Sequence, residues 1–451
     1  MMIMIVILVL GITTALLGSF SKTKSKIARQ EKTTAALAEA KEALIGFAIT
    51  YGDTHTSPAQ AHGYLPCPDI DGDSSGNPEG RSELSCGGKN VSSIGRLPWK
   101  SLELPPQRGG DGECLWYAVS GTFQDNQKTD MLNWNTLGLL EIIDGGGSTI
   151  TQNVVAMIFA PGPVLDDGVL NVQNRAADGS APTCGGNYTA TNYLDSDGTI
   201  NNGTVSTTAN DISKFRAGIT AQINDQFVFI TRDEIFNARN FKIKLNAMTK
   251  HAAECIADYG RRNSGGASDK RLPWSGRLRS PTDDYKTDSN YDDEDGRLAG
   301  RLPYRVNSSD SETGNLITDP WYQLKSDGSN CPSVTDWPAY YPWWKNWKDH
   351  LFYGLADGFK PDGGSSGCGT CLTVNGAGSY PAVVVFANRI LSGIAQTRTT
   401  DADHLNFTNY LEGENHTNVL AGNGSNYESG DTASINDTLY CINPDLSVTS
   451  C

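Results

Sequence analysis

Apolar residues fill the first twenty positions, MMIMIVILVLGITTALLGSF, without a charge or a proline. The pattern then changes from continuous to amphipathic. Residues 21–51 are rich in Ala, Lys, Glu and Gln, contain no proline, and have one glycine, Gly46. These are strong helix formers, and the pattern predicts one uninterrupted terminal helix to Tyr51. Twenty helical residues rise about 30 Å, the apolar thickness of a bilayer. The prediction is a single rod, apolar in its outer half and amphipathic in its inner half, leading into a polar body.

Beyond residue 52 the hydrophobic pattern is written twice. Gly95-Arg96-Leu97-Pro98-Trp99 matches Gly300-Arg301-Leu302-Pro303-Tyr304, and Asn192-Tyr193-Leu194-Asp195 matches Asn409-Tyr410-Leu411-Glu412. Further matches keep the same order, and their separation steps up once, between residues 304 and 351. That step places a Trp-rich insertion near 305–347 in the second copy. Each copy reads as a helix, a long Pro/Gly/Asp loop, and short apolar β-branched or aromatic runs bounded by turn residues. The runs are GECLWYAVS, NVVAMIFA and NDQFVFIT, then DHLFYGLA, YPAVVVFA and NDTLYCIN. The second helix is expected over 233–260. The predicted fold class is α+β, two tandem helix-plus-antiparallel-sheet domains arising by internal duplication. The expected divisions are 1–21, 22–232 and 233–451.

Composition narrows the partners. A net charge of −15 argues against nucleic acid. Ten cysteines scattered through Gly/Asn/Ser loops read as disulfides made in an oxidising compartment. Cys67–Cys86 and Cys441–Cys451 are the expected local pairs; the other pairings are open. The one CxxC, Cys368–Cys371, lacks a second pair or a nearby histidine to complete a zinc site.

Candidate chemistry is sparse. Asp69, Asp71 and Asp73, with Glu79 further on, sit in a Gly-rich loop whose alternate acids can converge on Ca²⁺. The competing and preferred reading is a set of solvated turns in which Asp caps its own backbone. Trp337, Trp343, Trp344 and Trp347 form an aromatic concentration that is either a contact surface or, as preferred, the core of a subdomain. No nucleophile motif, phosphate loop or dinucleotide fingerprint occurs, so no enzyme activity is expected.

The N-terminus does not read as a cleavable signal, which needs a basic start and a shorter apolar run. Its basic flank (Lys22, Lys24, Lys26, Arg29) follows the apolar run, and the expectation is that a charged leader once preceded Met1. An apolar helix of this kind resembles the type IV pilins and pseudopilins, with GITTALL where pilins carry a glycine-containing stretch. GRLPWKSLELPPQRGGDGECLWYAVS, VVAMIFAPG and NDQFVFITRDEIF are similar to large pilin-like proteins of prepilin or type II secretion type. Two departures stand out: Ile5 occupies the place of the usual glutamate, and the helix-breaking proline is missing. Gly11, Gly18 and Ser19 are the weak points instead.

The resemblance implies a pilin-like fold and a structural subunit of an extracellular filament. Met1, Ile5, Val6, Leu8, Leu10, Leu16 and Leu17 would pack against other copies in a helical homopolymer. The inner membrane would hold the chain before assembly, and pilus or secretion machinery would act on it. The alternatives are a minor pilin or pseudopilin at a pilus or secretion-system tip, and a membrane-anchored periplasmic binding protein.

Overall fold

The computed structural model describes residues 2–54, 62–72, 77–125, 131–166, 168–263, 270–279, 283–306, 322–361, 367–391 and 393–451, without side chains at 2–22 and 52–54. The chain divides into two compact units. Met1–Thr50, Gly63–Gln127 and Leu137–Ile235 form the first; Tyr51–His62, Lys128–Thr136 and Phe236–Cys451 form the second.

Helix α1 (Met2–Thr54) opens the chain. From Thr33 inward it buries one stripe, Thr33, Ala36, Leu37, Ala40, Leu44 and Ala48, at the spacing of a single helix face. The loop at 109–113 comes close to it. A Cβ on Gly110 would lie 2.2 Å from the Arg29 carbonyl oxygen, so only glycine permits the approach. The Gly110 N–H donates to Thr33 Oγ1 at 2.9 Å. Thr23–Lys32, by contrast, are all exposed, though Arg29 and Gln30 still bond to Asp111 and Gln226.

This corrects the expected apolar rod. The side chains described for α1 begin at Thr23, and their first ten positions are exposed and largely polar. Among the described residues no helix is long and apolar enough to cross a membrane. Met1, Ile5, Val6, Leu8, Leu10, Leu16 and Leu17, with Gly11, Gly18 and Ser19, lie outside the residues whose side chains are described.

The first unit holds a six-stranded sheet of β1 (Ser93–Arg96), β2 (Trp116–Val119), β3 (Leu140–Ile143), β4 (Thr149–Ala160), β5 (Ser213–Arg216) and β6 (Gln226–Thr231). The twelve-residue β4 is shared: its first half pairs with β3, and its second half pairs with β2 and β6. Trp116, Met157, Phe159, Tyr193 and Phe215 make the core.

Helix α2 (Arg232–Phe236) precedes the second unit's long helix, α3 (Arg239–Arg262). The sequence predicts one helix here, but it breaks at Asn237–Ala238. Phe236 and Phe241 meet at 5.0 Å, whereas positions five apart on a continuous helix face directions about 140° apart. The break lets both rings enter one core. The following elements are β7 (Ala299–Arg301), α4 (Trp337–Trp347), β8 (Leu351–Leu355), β9 (Leu372–Val374), β10 (Ala377–Tyr380), β11 (Ala382–Phe386), α5 (Asp401–Leu405), α6 (Gly413–Ala421), β12 (Asn426–Tyr427), β13 (Thr438–Ile442) and β14 (Val448–Ser450). The main sheet is antiparallel, in the order β14-β13-β11-β8-β7, and α3 packs against β11, β13, β14 and α4. A smaller sheet runs β10-β9-β12.

The expected fold, two tandem helix-plus-antiparallel-sheet domains of pilin type, is thus overturned. β3 and β5 pair parallel, as do β9 and β12, because each partner strand returns after a long excursion rather than through a hairpin. The units are also not sequential, since Tyr51–His62 and Lys128–Thr136 belong to the second. The chain is a mixed α and β protein, with three sheets among the described residues.

Candidate functional site

Two buried polar knots, one per unit, stand out among the described residues. In the second unit Arg301, from β7, places its guanidinium 4.4 Å from the Phe352 ring and 4.9 Å from the Tyr410 ring. Arg398 lies 4.3 Å from Tyr410, donating from Nε to the Asn409 carbonyl at 2.6 Å and from Nη1 to the Asn388 carbonyl at 2.9 Å. Stacking on aromatic faces keeps both cations bound without water. The Tyr410 hydroxyl donates to Asp349 Oδ2 at 2.7 Å, and His404 Nδ1 meets the same oxygen at 2.9 Å. Asn133 Nδ2 donates to Oδ1 at 3.1 Å.

Burial alone would raise the Asp349 carboxyl, but His350 beside it and the bonds from His404 and Tyr410 hold it well below the usual carboxylate range. Burial pushes the His350 ring down to about 3. Its Nδ1 donates to the Ala387 carbonyl at 2.7 Å and its Nε2 accepts from Asn135 Nδ2 at 3.0 Å, a neutral ring with both nitrogens occupied. An Asp–His pair invites comparison with a catalytic dyad. The hydroxyl that meets it, Tyr410, is already committed to the carboxylate, and burial raises its pKa well above the ordinary phenol value. The arrangement is a clamp, holding β7, β8 and the 398–410 segment together.

The first unit repeats the pattern. Arg175 lies 5.1 Å from the Tyr193 ring, donating from Nε to the Asn192 carbonyl and from Nη1 to the Gly162 carbonyl, both at 3.0 Å. Arg96 lies 5.1 Å from the same Tyr193 ring and 5.4 Å from that of Trp116. Gln173 donates to Asp195 at 2.7 Å, as Gln396 donates to Glu412 at 2.9 Å. Beside each sits a second acid. Burial, then the neighbouring Asp195, pushes the Asp225 carboxyl well up; burial, then Glu412, does the same to Asp437.

A cleft lies beside each knot, between one stretch of the long helix (the middle of α1, the start of α3), the residues after the central strand, and the start of the next strand. In the first unit it measures about 490 Å³ and is lined by Lys26, Arg29, Gln30, Gly162, Asn224 and Gln226, among others. In the second it measures about 220 Å³ and is lined by Trp134, Asn237, Lys242, Asn246, Arg389 and Asn436, among others.

The residues singled out from sequence fall elsewhere. Asp69 and Asp71 come together with Glu83, which the sequence did not suggest, and their carboxylate oxygens lie within 4.8 Å of one another. The donor set suits a hard cation, but Asp69 already accepts from the Gly72 and Gly80 N–H groups and from Tyr188 Oη. Burial raises Asp69 and Glu83. Asp73 lies outside the described residues. Glu79 is not part of this group and accepts instead from the backbone N–H of Thr183 and Cys184 at 2.6 and 2.8 Å. Cys67 pairs with Cys86 and Cys441 with Cys451. The remaining bonds are Cys114–Cys184, Cys255–Cys331 and Cys368–Cys371. Trp337, Trp343, Trp344 and Trp347 are all buried, so they form core rather than a contact surface. Trp343 stacks on His62 at 4.0 Å and Trp344 on Tyr304 at 5.4 Å.

The knots and the second cleft were not legible beforehand, since Asp349 and His404 or Trp134 and Asn436 share no motif spacing. The matched Asn-Tyr-Leu-acid segments were the available signal.

No family model, no curated protein and no solved structure matches this chain. With no family match, and with no apolar membrane-crossing helix among the described residues, the resemblance to type IV pilins and pseudopilins does not stand.

Proposed function

We propose that this chain is a non-catalytic structural subunit of an oxidising, extracytoplasmic compartment, joined to further copies of itself through the N-terminal part of α1. One observation carries the reading: Thr23–Lys32 are all exposed, and the sequence ahead of them runs twenty residues without a charge. So apolar a stretch would find its cover in further copies of the chain. Burying a large apolar side chain contributes about 1.5–3 kcal/mol, so a few contacts per copy drive association. The five disulfides fit the compartment, and the sealed Asp349–His404 pair favours a structural role for that cluster. A membrane-anchored binding protein is the second reading, favoured by the polar cleft of the second unit.

Sedimentation velocity in detergent-free buffer separates the two. The native chain is expected as large assemblies, and the triple variant Val6→Ala, Leu8→Ala, Leu10→Ala as much smaller species. A monodisperse single native chain in that buffer overturns the proposal.

A further inference from the structure

The cleft of the second unit contains hydrogen-bonding groups that the protein itself leaves without partners. Trp134 and Asn436 both line it. They are 5% and 7% exposed, and Trp134 Nε1 and Asn436 Oδ1 have no hydrogen-bond partner. Leaving one buried donor and one buried acceptor unpaired costs about 1–3 kcal/mol each. A fold with no use for them would place apolar atoms there. The Asn436 amide nitrogen is committed, donating to the Arg389 carbonyl at 2.8 Å, which fixes the side chain and with it the free oxygen.

Around this pair stand Asn237 and Asn246 from the segment leading into and along α3, the cations Lys242 and Arg389, and the carboxylate Asp431. The first unit's cleft differs where it matters. There Gln30 and Gln226 bond each other at 2.6 Å and Arg29 meets Asp111 at 3.3 Å, and no aromatic residue lines it. Asn224 Oδ1 is left unpaired there too, but no indole N–H stands beside it to make a donor–acceptor pair.

We infer that the second unit's cleft binds one polyhydroxylated ring of monosaccharide size, as a free sugar or the end of a glycan. The volume of about 220 Å³ suits a single ring rather than a chain. A sugar hydroxyl both donates and accepts, so adjacent hydroxyls satisfy an indole N–H and an amide oxygen together. Amide side chains offer the same two-way bonding from Asn237 and Asn246. The lining is mainly polar, which disfavours an apolar ligand. Lys242 and Arg389 against Asp431 leave one surplus positive charge, enough to admit a carboxylated sugar without requiring one.

Saturation-transfer NMR on the full chain tests this with glucose, galactose, N-acetylglucosamine and glucuronate at millimolar concentration. At least one sugar is expected to bind, and Trp134→Phe, which keeps an aromatic side chain but removes the indole N–H, is expected to weaken it about tenfold. Asn246→Ala, at an exposed position, should weaken it too while leaving the thermal midpoint unchanged, so loss of fold is distinguished from loss of binding. Binding of glucuronate alone, abolished by Arg389→Ala, assigns a carboxylated ring; binding of the uncharged sugars, indifferent to Arg389→Ala, assigns a neutral one. Absence of transfer to all four sugars, or transfer unchanged in both Trp134→Phe and Asn246→Ala, overturns the inference. None of these outcomes depends on whether the chain self-associates.

Discussion

Asp437 is a carboxyl that the fold treats as an amide. It is fully enclosed, receives Asn415 Nδ2 at 2.9 Å, and is pushed well up by burial and by Glu412. A raised acid contributes its stability below the unfolded-state pKa and loses it as pH rises towards the folded one. Asp437→Asn keeps the shape and removes that loss. At neutral pH its urea midpoint should equal or exceed the native one. Asp437→Ala should cost about 1–3 kcal/mol by stranding Asn415. If the amide variant proves as damaging as alanine, the carboxyl is ionised and the reading of the knot is wrong.

Helix α1 shows how one element divides its labour. Leu44 is fully buried and Ile27 is about half exposed, though both sit in the same amphipathic stretch. Leu44→Ala should cost about 2–5 kcal/mol in urea unfolding, and Ile27→Ala almost nothing. Equal losses would mean that the helix packs on both faces. At this scale the sequence was readable: the six apolar runs mark β2, β4, β6, β8, β11 and β13, because a short β-branched run between turns has few other uses. Pairing direction was not readable. SKFR, now β5, has no apolar run to announce it, and its parallel partner β3 lies about seventy residues earlier in the chain. The helix break before Arg239 was equally hidden, since only the position of Trp347, which meets Phe236 at 5.6 Å, gives a reason for it. The site was less legible still. Asp69 and Asp71 were visible as neighbours in a loop, but Glu83 reaches them only through tertiary folding, and the groups of the second cleft come from segments three hundred residues apart.

For the whole molecule, the same two-acid arrangement in each unit has a consequence for its surface field. The formal charge of −15 counts every Asp and Glu as ionised. Asp225 and Asp437 are held well above the carboxylate range by burial and by a second acid alongside. Each retains its proton in a mildly acidic buffer where a solvent-facing carboxylate has shed its own. In such a buffer the chain should migrate electrophoretically as if two of its acids were absent. Replacing both by asparagine should leave its mobility there unchanged, since a carboxyl that keeps its proton gives the electric field nothing to pull on.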